Sequence, residues 1–426
     1  MNIAGEATVT VRAAADACPG VLRLHTAADG QLARVRLPGG RLDPRALAAL
    51  ADAALLGSDI VELTSRAGLQ VRGLPQDAAD TLAGVLARGG LLPSLAHDRV
   101  RNILAAPLAG RGPGAVAQVD GIVESLDRAL CADASLSELS GRFLFALDDG
   151  SHALPPLRAD VELAAERDVF RLRLDGVETS LVVSAARAPE VALDAARGFL
   201  ALRGDHEDGV WRVRELPGGA RRLGRHLGLT VEAREAGTSP GEQVRGARRL
   251  GVHVQRDGVF AVAVLPPLAR LDSAQLLRLA ELARALACDV RVSPWRTLTF
   301  VDVPASAAAE LLGDLEELGL VTSDASGWAG LSACAGLGAC ARARTDVRAA
   351  AARRAPLRGP ASVTEHWSGC ERRCGEPATA GVRVVAGADG LTVAVGEQER
   401  TVATAAAALE LLEHEGTQAP QAKAAV

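Results

Sequence analysis

The chain of 426 residues carries 47 Lys and Arg against 52 Asp and Glu, a formal net charge of −5, with 48% hydrophobic and 23% charged residues. This composition is globular rather than disordered, is long enough for two to four domains, and argues against a nucleic-acid partner held through its phosphates. Aromatics make up 2% with no Tyr, so the cores are expected to be aliphatic, and Lys423 is the only lysine, so the cations are arginines.

In chain order, the alternation of Arg34 and Arg36 with Val35 and Leu37 predicts a half-buried strand over 30–37, ended by Pro38-Gly39-Gly40. Asp43-Pro44 then offers a cap and a first-turn proline, and Leu47, Leu50, Ala51, Ala54 and Leu55 follow at helical spacing up to Gly57. Strands are expected over 60–64 and 69–72. The plan recurs about 229 residues later, with a strand over 259–265, Arg270-Leu271-Asp272 echoing Arg41-Leu42-Asp43, a helix through Leu286, and Arg296 in the place of Arg66. A strand pair at 382–385 and 391–395 and a helix from about Val402 follow.

The reading is an α+β chain in two halves, each a small ferredoxin-like unit followed by a larger α+β unit. The expected boundaries are 1–94, 95–240, 241–310 and 311–415, with 416–426 a frayed tail. No uninterrupted apolar run approaches the length of a membrane span, and the first residues lack a basic stretch leading into an apolar one. A cytoplasmic protein with reduced thiols, no membrane partner and no nucleic-acid partner is therefore expected.

Four of the seven cysteines fall close together: Cys334 and Cys340 as C-x5-C, then 29 residues, then Cys370 and Cys374 as C-x3-C. Four thiolates suit a [4Fe–4S] cluster, one per iron, and the surrounding glycines let backbone N–H groups approach the sulfurs. The C-x3-C pair would present both thiols on one helical face. Zinc is a rival for C-x3-C but is ill served by a five-residue spacer, and four structural thiols are the plain alternative. Cys18, Cys131 and Cys288 are isolated in sequence and read as structural. Arg34, Arg36, Arg66, Gln70, Arg72, Arg101, Asn102, Arg142 and Arg296 form a dispersed polar and cationic set. If they converged, their guanidiniums would suit a polycarboxylate ligand; taken singly, each reads as a solvated face.

Together, Arg34-x-Arg36-Leu-Pro-Gly-Gly40, Thr64-x-Arg66-x-x-x-Gln70-x-Arg72-Gly, Arg101-Asn102 and the four cysteines resemble the siroheme-dependent nitrite/sulfite reductase superfamily, over about Cys18 to Val395. The resemblance implies a pseudo-twofold duplicated fold, a [4Fe–4S] cluster on Cys334, Cys340, Cys370 and Cys374, and arginines binding the carboxylates of a tetrapyrrole between the halves. Sulfite reductases of that superfamily carry a Lys-x-Lys pair, whereas the matching positions here are Arg142 and the apolar Leu144. This departure, the modest length, Ala17-Cys-Pro-Gly-Val-Leu-Arg-Leu-His25 and Leu250-Gly-Val-His253 resemble a branch of monooxygenases acting on a reduced tetrapyrrole, precorrin-3A, with O2 in cobalamin biosynthesis. For that branch the implied partners are precorrin-3A, O2 and an electron donor, NADH-linked or ferredoxin-like. Siroheme is implied only under the reductase alternative, and a non-enzymatic metal-binding or electron-transfer protein is a third reading. The branch is also associated with a non-haem iron, for which the scattered histidines offer no recognisable ligand set.

Overall fold

The computed structural model describes residues 16–155, 158–204, 209–235, 249–359 and 363–416. The N-terminal segment read for an export signal, the boundary near 240 and the tail beyond Gly416 lie outside the described residues.

The first expected strand forms over Gly30–Val35 and the capped helix over Pro44–Leu55, where the Asp43 carboxylate accepts the Ala46 N–H at 2.7 Å. In the second copy Asp272 accepts from the Gln275 backbone at 2.8 Å and the Gln275 side chain accepts from the Asp272 N–H, a reciprocal cap on the helix Ser273–Ala285. Leu47, Leu50 and Ala54 of one helix and Leu276, Leu279 and Ala283 of the other lie in a single aliphatic core, as the scarcity of aromatics requires.

The two half-domains exchange edge strands. Arg270–Leu271 pairs with Val61–Leu63 in the first half-domain, and Arg41–Leu42 pairs with Val290–Val292 in the second. Each five-stranded sheet therefore ends on a two-residue edge strand supplied by the other copy. A linear reading of the sequence separates these units; the structure interlocks them.

The duplication extends to the larger units. In the first, Ile103–Ala105, Phe145–Asp148 and Val161–Glu166 run parallel, and Val169–Leu174 and Val177–Ser184 follow antiparallel. In the second, Leu331–Ala333, Glu365–Ser368 and Val382–Ala386 run parallel, and Leu391–Val395 and Gln398–Val402 follow antiparallel. Helices Asp120–Ala132 and Ala188–Arg203 supply apolar residues to the core of the first unit, and Val347–Arg354 and Ala405–Gly416 do so in the second. The architecture is the duplicated α+β fold expected from the sequence. Among the described residues no helix is long and apolar enough to cross a membrane.

Candidate functional site

The cysteines are brought together by parallel strand pairing. Leu331–Ala333 and Glu365–Ser368 lie side by side, with Ala333 opposite Trp367, so the loops leaving their C-terminal ends start together. Cys334 leaves one strand and Cys370 the other; the Cys334 N–H donates to the Trp367 carbonyl at 3.0 Å, and the Gly369 N–H donates to the Cys334 sulfur at 3.1 Å. The Arg344 N–H donates to the Gly369 carbonyl at 2.8 Å, lacing the Cys340 loop to the Cys370 loop. Gly336, Gly338 and Gly375 adopt positive φ in these loops. Cys370 and Cys374 occupy turns rather than a helix, with Arg373 at φ +49°, so the helical-face spacing expected for them is not what joins them.

All four thiols are free, and Cys374 is the most exposed. Burial, and then the neighbouring thiols of Cys334, Cys370 and Cys340, push the Cys374 thiol above its ordinary range. Cys374 thus lies near each of the other three thiols. Yet among the described residues no three His, Cys, Asp or Glu side chains are placed to hold a single metal ion. Four thiols on adjoining loops, with a five-residue spacer in the first pair and an N–H already aimed at a sulfur, suit a multi-atom cluster better than zinc.

The arginines lie on the polar face of the first half-domain sheet. Residues directly opposite on neighbouring strands share a face, and the register gives one row: Arg34, Gln70, Glu62, Arg270. The opposite face, with Ala33, Val35, Leu69, Val71, Val61 and Leu63, lies in the core. On the polar face the arginines divide into paired and unpaired groups.

Arg72 is paired. It grips Asp29 through two hydrogen bonds of 2.9 and 3.0 Å and donates to the Ala339 carbonyl at 2.7 Å, which fixes this sheet against the Cys340 loop. Arg101, buried at 4% exposure, holds both oxygens of Asp127 at 2.7 Å. The Asn102 amide donates to the carbonyls of Arg99 and Gly141, both at 3.1 Å. These three were expected to bind ligand; their polar groups instead hold loops in place.

Arg34, Arg36, Arg66 and Arg142 converge, and none hydrogen-bonds a carboxylate among the described residues. Arg36, 8% exposed, donates only to the carbonyls of Arg99 and Gly141. Arg66 donates to the Arg142 carbonyl at 3.3 Å, and Arg142 lies 4.9 Å over the Trp211 ring. Arg34 has a buried Nε without a hydrogen-bond partner. Burial, then the like charge of Arg34, pushes the Arg36 guanidinium down to about 10; burial, then Arg212, does the same to Arg66, also to about 10. The nearby acids are engaged elsewhere: Asp16 with the Cys18 and Gly141 N–H groups, Asp98 with those of Val21 and Leu22, and Asp160 with Arg212 at 2.5 Å. Such a set binds an anion or stays strained.

The matching row in the second half-domain is Ala263, Thr299, Arg291, Arg41. Its charges are neutralised, with Arg291 on Asp120 at 2.9 Å and Arg41 on Asp289 at 2.7 Å. A cavity of about 320 Å³ beside helix Asp120–Ala132 is lined by the pairs Arg101–Asp127 and Arg291–Asp120 and, on another side, by Arg36. Arg296 lies apart from the unpaired four, donating to the Gly375 carbonyl at 3.2 Å next to Cys374. Leu144, where a second small-anion cation would stand, is 2% exposed and packs in the core with Leu104 and Ala146.

Two features escaped the sequence reading. Cys18 is buried and lies next to the guanidiniums of Arg34, Arg36 and Arg66. His366 is fully buried beneath the cysteine loops, held neutral by burial and then by Arg296, which push its imidazole down to about 4.

Comparison with known proteins agrees with this architecture. Residues 23–88 and 253–318 each match the Nitrite/Sulfite reductase ferredoxin-like half domain family. The chain is 26% identical over 373 residues to an assimilatory ferredoxin-dependent nitrite reductase of Haloferax mediterranei, covering 76% of this chain but only 63% of that protein. It is 26% identical over 397 residues to a ferredoxin–nitrite reductase of Synechococcus elongatus, covering 82% and 75% of the two chains. It is also 26% identical over 409 residues to a precorrin-3B synthase of a Sinorhizobium species, covering 93% and 86%. Among solved structures, the NirA protein of Mycobacterium tuberculosis superposes with a TM-score of 0.69 at 18% identity, over 93% of this chain and 82% of that one. The fold is that of the nitrite/sulfite reductases, carried by two ferredoxin-like half-domains.

Proposed function

We propose that this protein is an oxidoreductase of the nitrite/sulfite reductase fold acting as a precorrin-3B synthase. In this reading it hydroxylates precorrin-3A at C20 with O2 and closes the ring-A acetate to a γ-lactone. The carrying observation is the contrast on one face: four convergent guanidiniums without carboxylates, while the position for a second small-anion cation is the buried Leu144. That charge distribution suits a large polycarboxylate better than a small oxyanion. A relative covering 93% of this chain carries the same name.

Arg34, Arg36, Arg66 and Arg142 would take the acid arms of the macrocycle, with Arg296 approaching from the second half-domain. Arg72, Arg101 and Asn102 would hold that surface rigid, so the guanidiniums are positioned before the ligand arrives. Cys334, Cys340, Cys370 and Cys374 would hold a [4Fe–4S] cluster, which supplies single electrons that side chains cannot. One oxygen atom enters the product; the other leaves as water with two electrons and two protons from an external donor, NADH-linked or ferredoxin-like.

The reductase alternative keeps its standing because two relatives of the same identity are nitrite reductases. Extraction of the anaerobically purified protein separates the two readings. Iron and acid-labile sulfide without siroheme, together with tight binding of an octacarboxylate porphyrin, supports the synthase. Bound siroheme and turnover of nitrite or sulfite contradicts it.

A further inference from the structure

Strand Glu365–Ser368 of the cysteine-bearing sheet carries a buried histidine where its duplicate strand carries an alanine. The two sheets share one register: Leu331 pairs with Glu365 as Ile103 pairs with Phe145. Ser332 therefore corresponds to Leu104, and His366 to Ala146. In the first half Leu104 and Ala146 join the large aliphatic core. In the second half, Ser332 meets His366 Nδ1 at 2.8 Å, while His366 and Ser368 are both 0% exposed.

Two atoms on this face lack hydrogen-bond partners: His366 Nε2 and Ser368 Oγ. A fully buried donor without a partner is costly and is usually explained by a missing ligand. Their location says which ligand. Ser368 stands two residues before Cys370 and Ser332 two before Cys334. The His366 ring edge faces Gly375, where an added Cβ would lie 3.9 Å from His366 Cε1, beside Cys374. With the Ser332 hydroxyl donating to Nδ1 rather than to the Glu365 carbonyl it also reaches at 3.3 Å, the neutral ring carries its proton on Nε2, on the side of the Cys374 backbone and the cysteine loops.

We propose that His366, oriented by Ser332, donates an Nε2–H hydrogen bond to the sulfur cage held by the four cysteines and thereby eases its reduction. The inference rests on the cluster assignment above. A donor to sulfur stabilises the more negative, reduced state, so its loss makes the cluster harder to reduce. It also accounts for a buried histidine in the half that carries the thiols, where the duplicate has Ala146.

The test is an anaerobic redox titration followed by electron paramagnetic resonance on wild type, His366→Ala, His366→Gln and Ser332→Ala, each assayed first for iron and sulfide. His366→Ala takes the apolar residue of the duplicate. It should keep its cluster, while its ratio of reduced to oxidised cluster at a fixed potential falls about five- to tenfold, and His366→Gln, which retains an N–H, should recover part of that loss. A loaded His366→Ala protein that titrates as wild type overturns the proposal. Should His366→Ala lose its iron, Ser332→Ala decides: a smaller shift in the same direction supports the hydrogen bond, and no shift overturns it. Wild-type protein unable to hold iron and sulfide overturns the cluster reading itself, and this proposal with it.

Discussion

Replacing Arg66 by methionine separates a ligand-binding arginine from a structural one. The guanidinium is half-buried, makes a single hydrogen bond, to the Arg142 carbonyl, and is pushed down to about 10 by burial and then by Arg212. At about 1.4 kcal/mol per pKa unit this is a gross burden of about 3 kcal/mol on the folded state, of which screening at a half-buried site leaves about 1–2 kcal/mol. The sign is set by the depressed folded value: below about pH 10 the cation is present in both states, and the folded one carries the cost. Arg66→Met keeps the packing of the stem and removes the charge. At pH 7 the ligand-free variant should unfold in urea at the same midpoint as wild type or a higher one. Its affinity for an octacarboxylate porphyrin should fall about 10- to 100-fold, the loss of one charge-assisted contact. A variant destabilised by more than about 2 kcal/mol with unaltered affinity would refute the reasoning and make Arg66 part of the scaffold.

Arg101→Ala should behave oppositely, losing about 3–5 kcal/mol of stability because Asp127 is left charged and unpaired, with porphyrin affinity of the folded fraction changed little; a large affinity loss without destabilisation would return Arg101 to the binding set. Cys370→Ser or Cys374→Ser should abolish the cluster's visible absorption and turnover, and full iron content in either variant would count against the ligand assignment. Chelation of iron should make Cys374, the exposed thiol of the four, the first alkylated by iodoacetamide, whereas the loaded protein should protect it; equal labelling in both states would place Cys374 outside the cluster. Asp148 bonds His152 at 2.8 Å and raises the imidazole above its ordinary value, so stability from this pair is full below that value and lost as pH rises through the raised one. His152→Ala should flatten that slope by less than about 1 kcal/mol, the side chain being largely exposed, and an unchanged slope would assign it to another group.

Much of this architecture was legible before any coordinates. Asp43-Pro44 and Asp272 mark their helices through capping chemistry that is local, and the alternation around Arg34 and Arg36 marks a strand with one cationic face. The C-x5-C and C-x3-C pairs raised the expectation of a shared ligand, and the structure brings their loops together through turns rather than a helix. What was not legible depends on contacts between distant segments. The exchange of Arg41–Leu42 and Arg270–Leu271 between half-domains has no local signature. Whether an arginine is free or paired is decided by its partner: Arg101 meets Asp127 on the helix Asp120–Ala132, while Arg36 meets only carbonyls. His366 sits in Glu365-His-Trp-Ser368, which reads as an unremarkable strand; only the parallel register with Ser332 and the comparison with Ala146 bring out its buried polar edge.

The central claim is that four thiols holding a cluster and an arginine-lined face act together on one macrocycle. Its most direct measurement is a single turnover: cluster-loaded protein is mixed anaerobically with precorrin-3A, exposed to isotopically labelled O2 with a reductant, and the tetrapyrrole is analysed by mass. The account predicts a gain of one labelled oxygen atom, lost in Cys370→Ser and weakened in Arg66→Met. Precorrin-3A recovered unchanged from loaded wild-type protein that instead reduces nitrite or sulfite would contradict it.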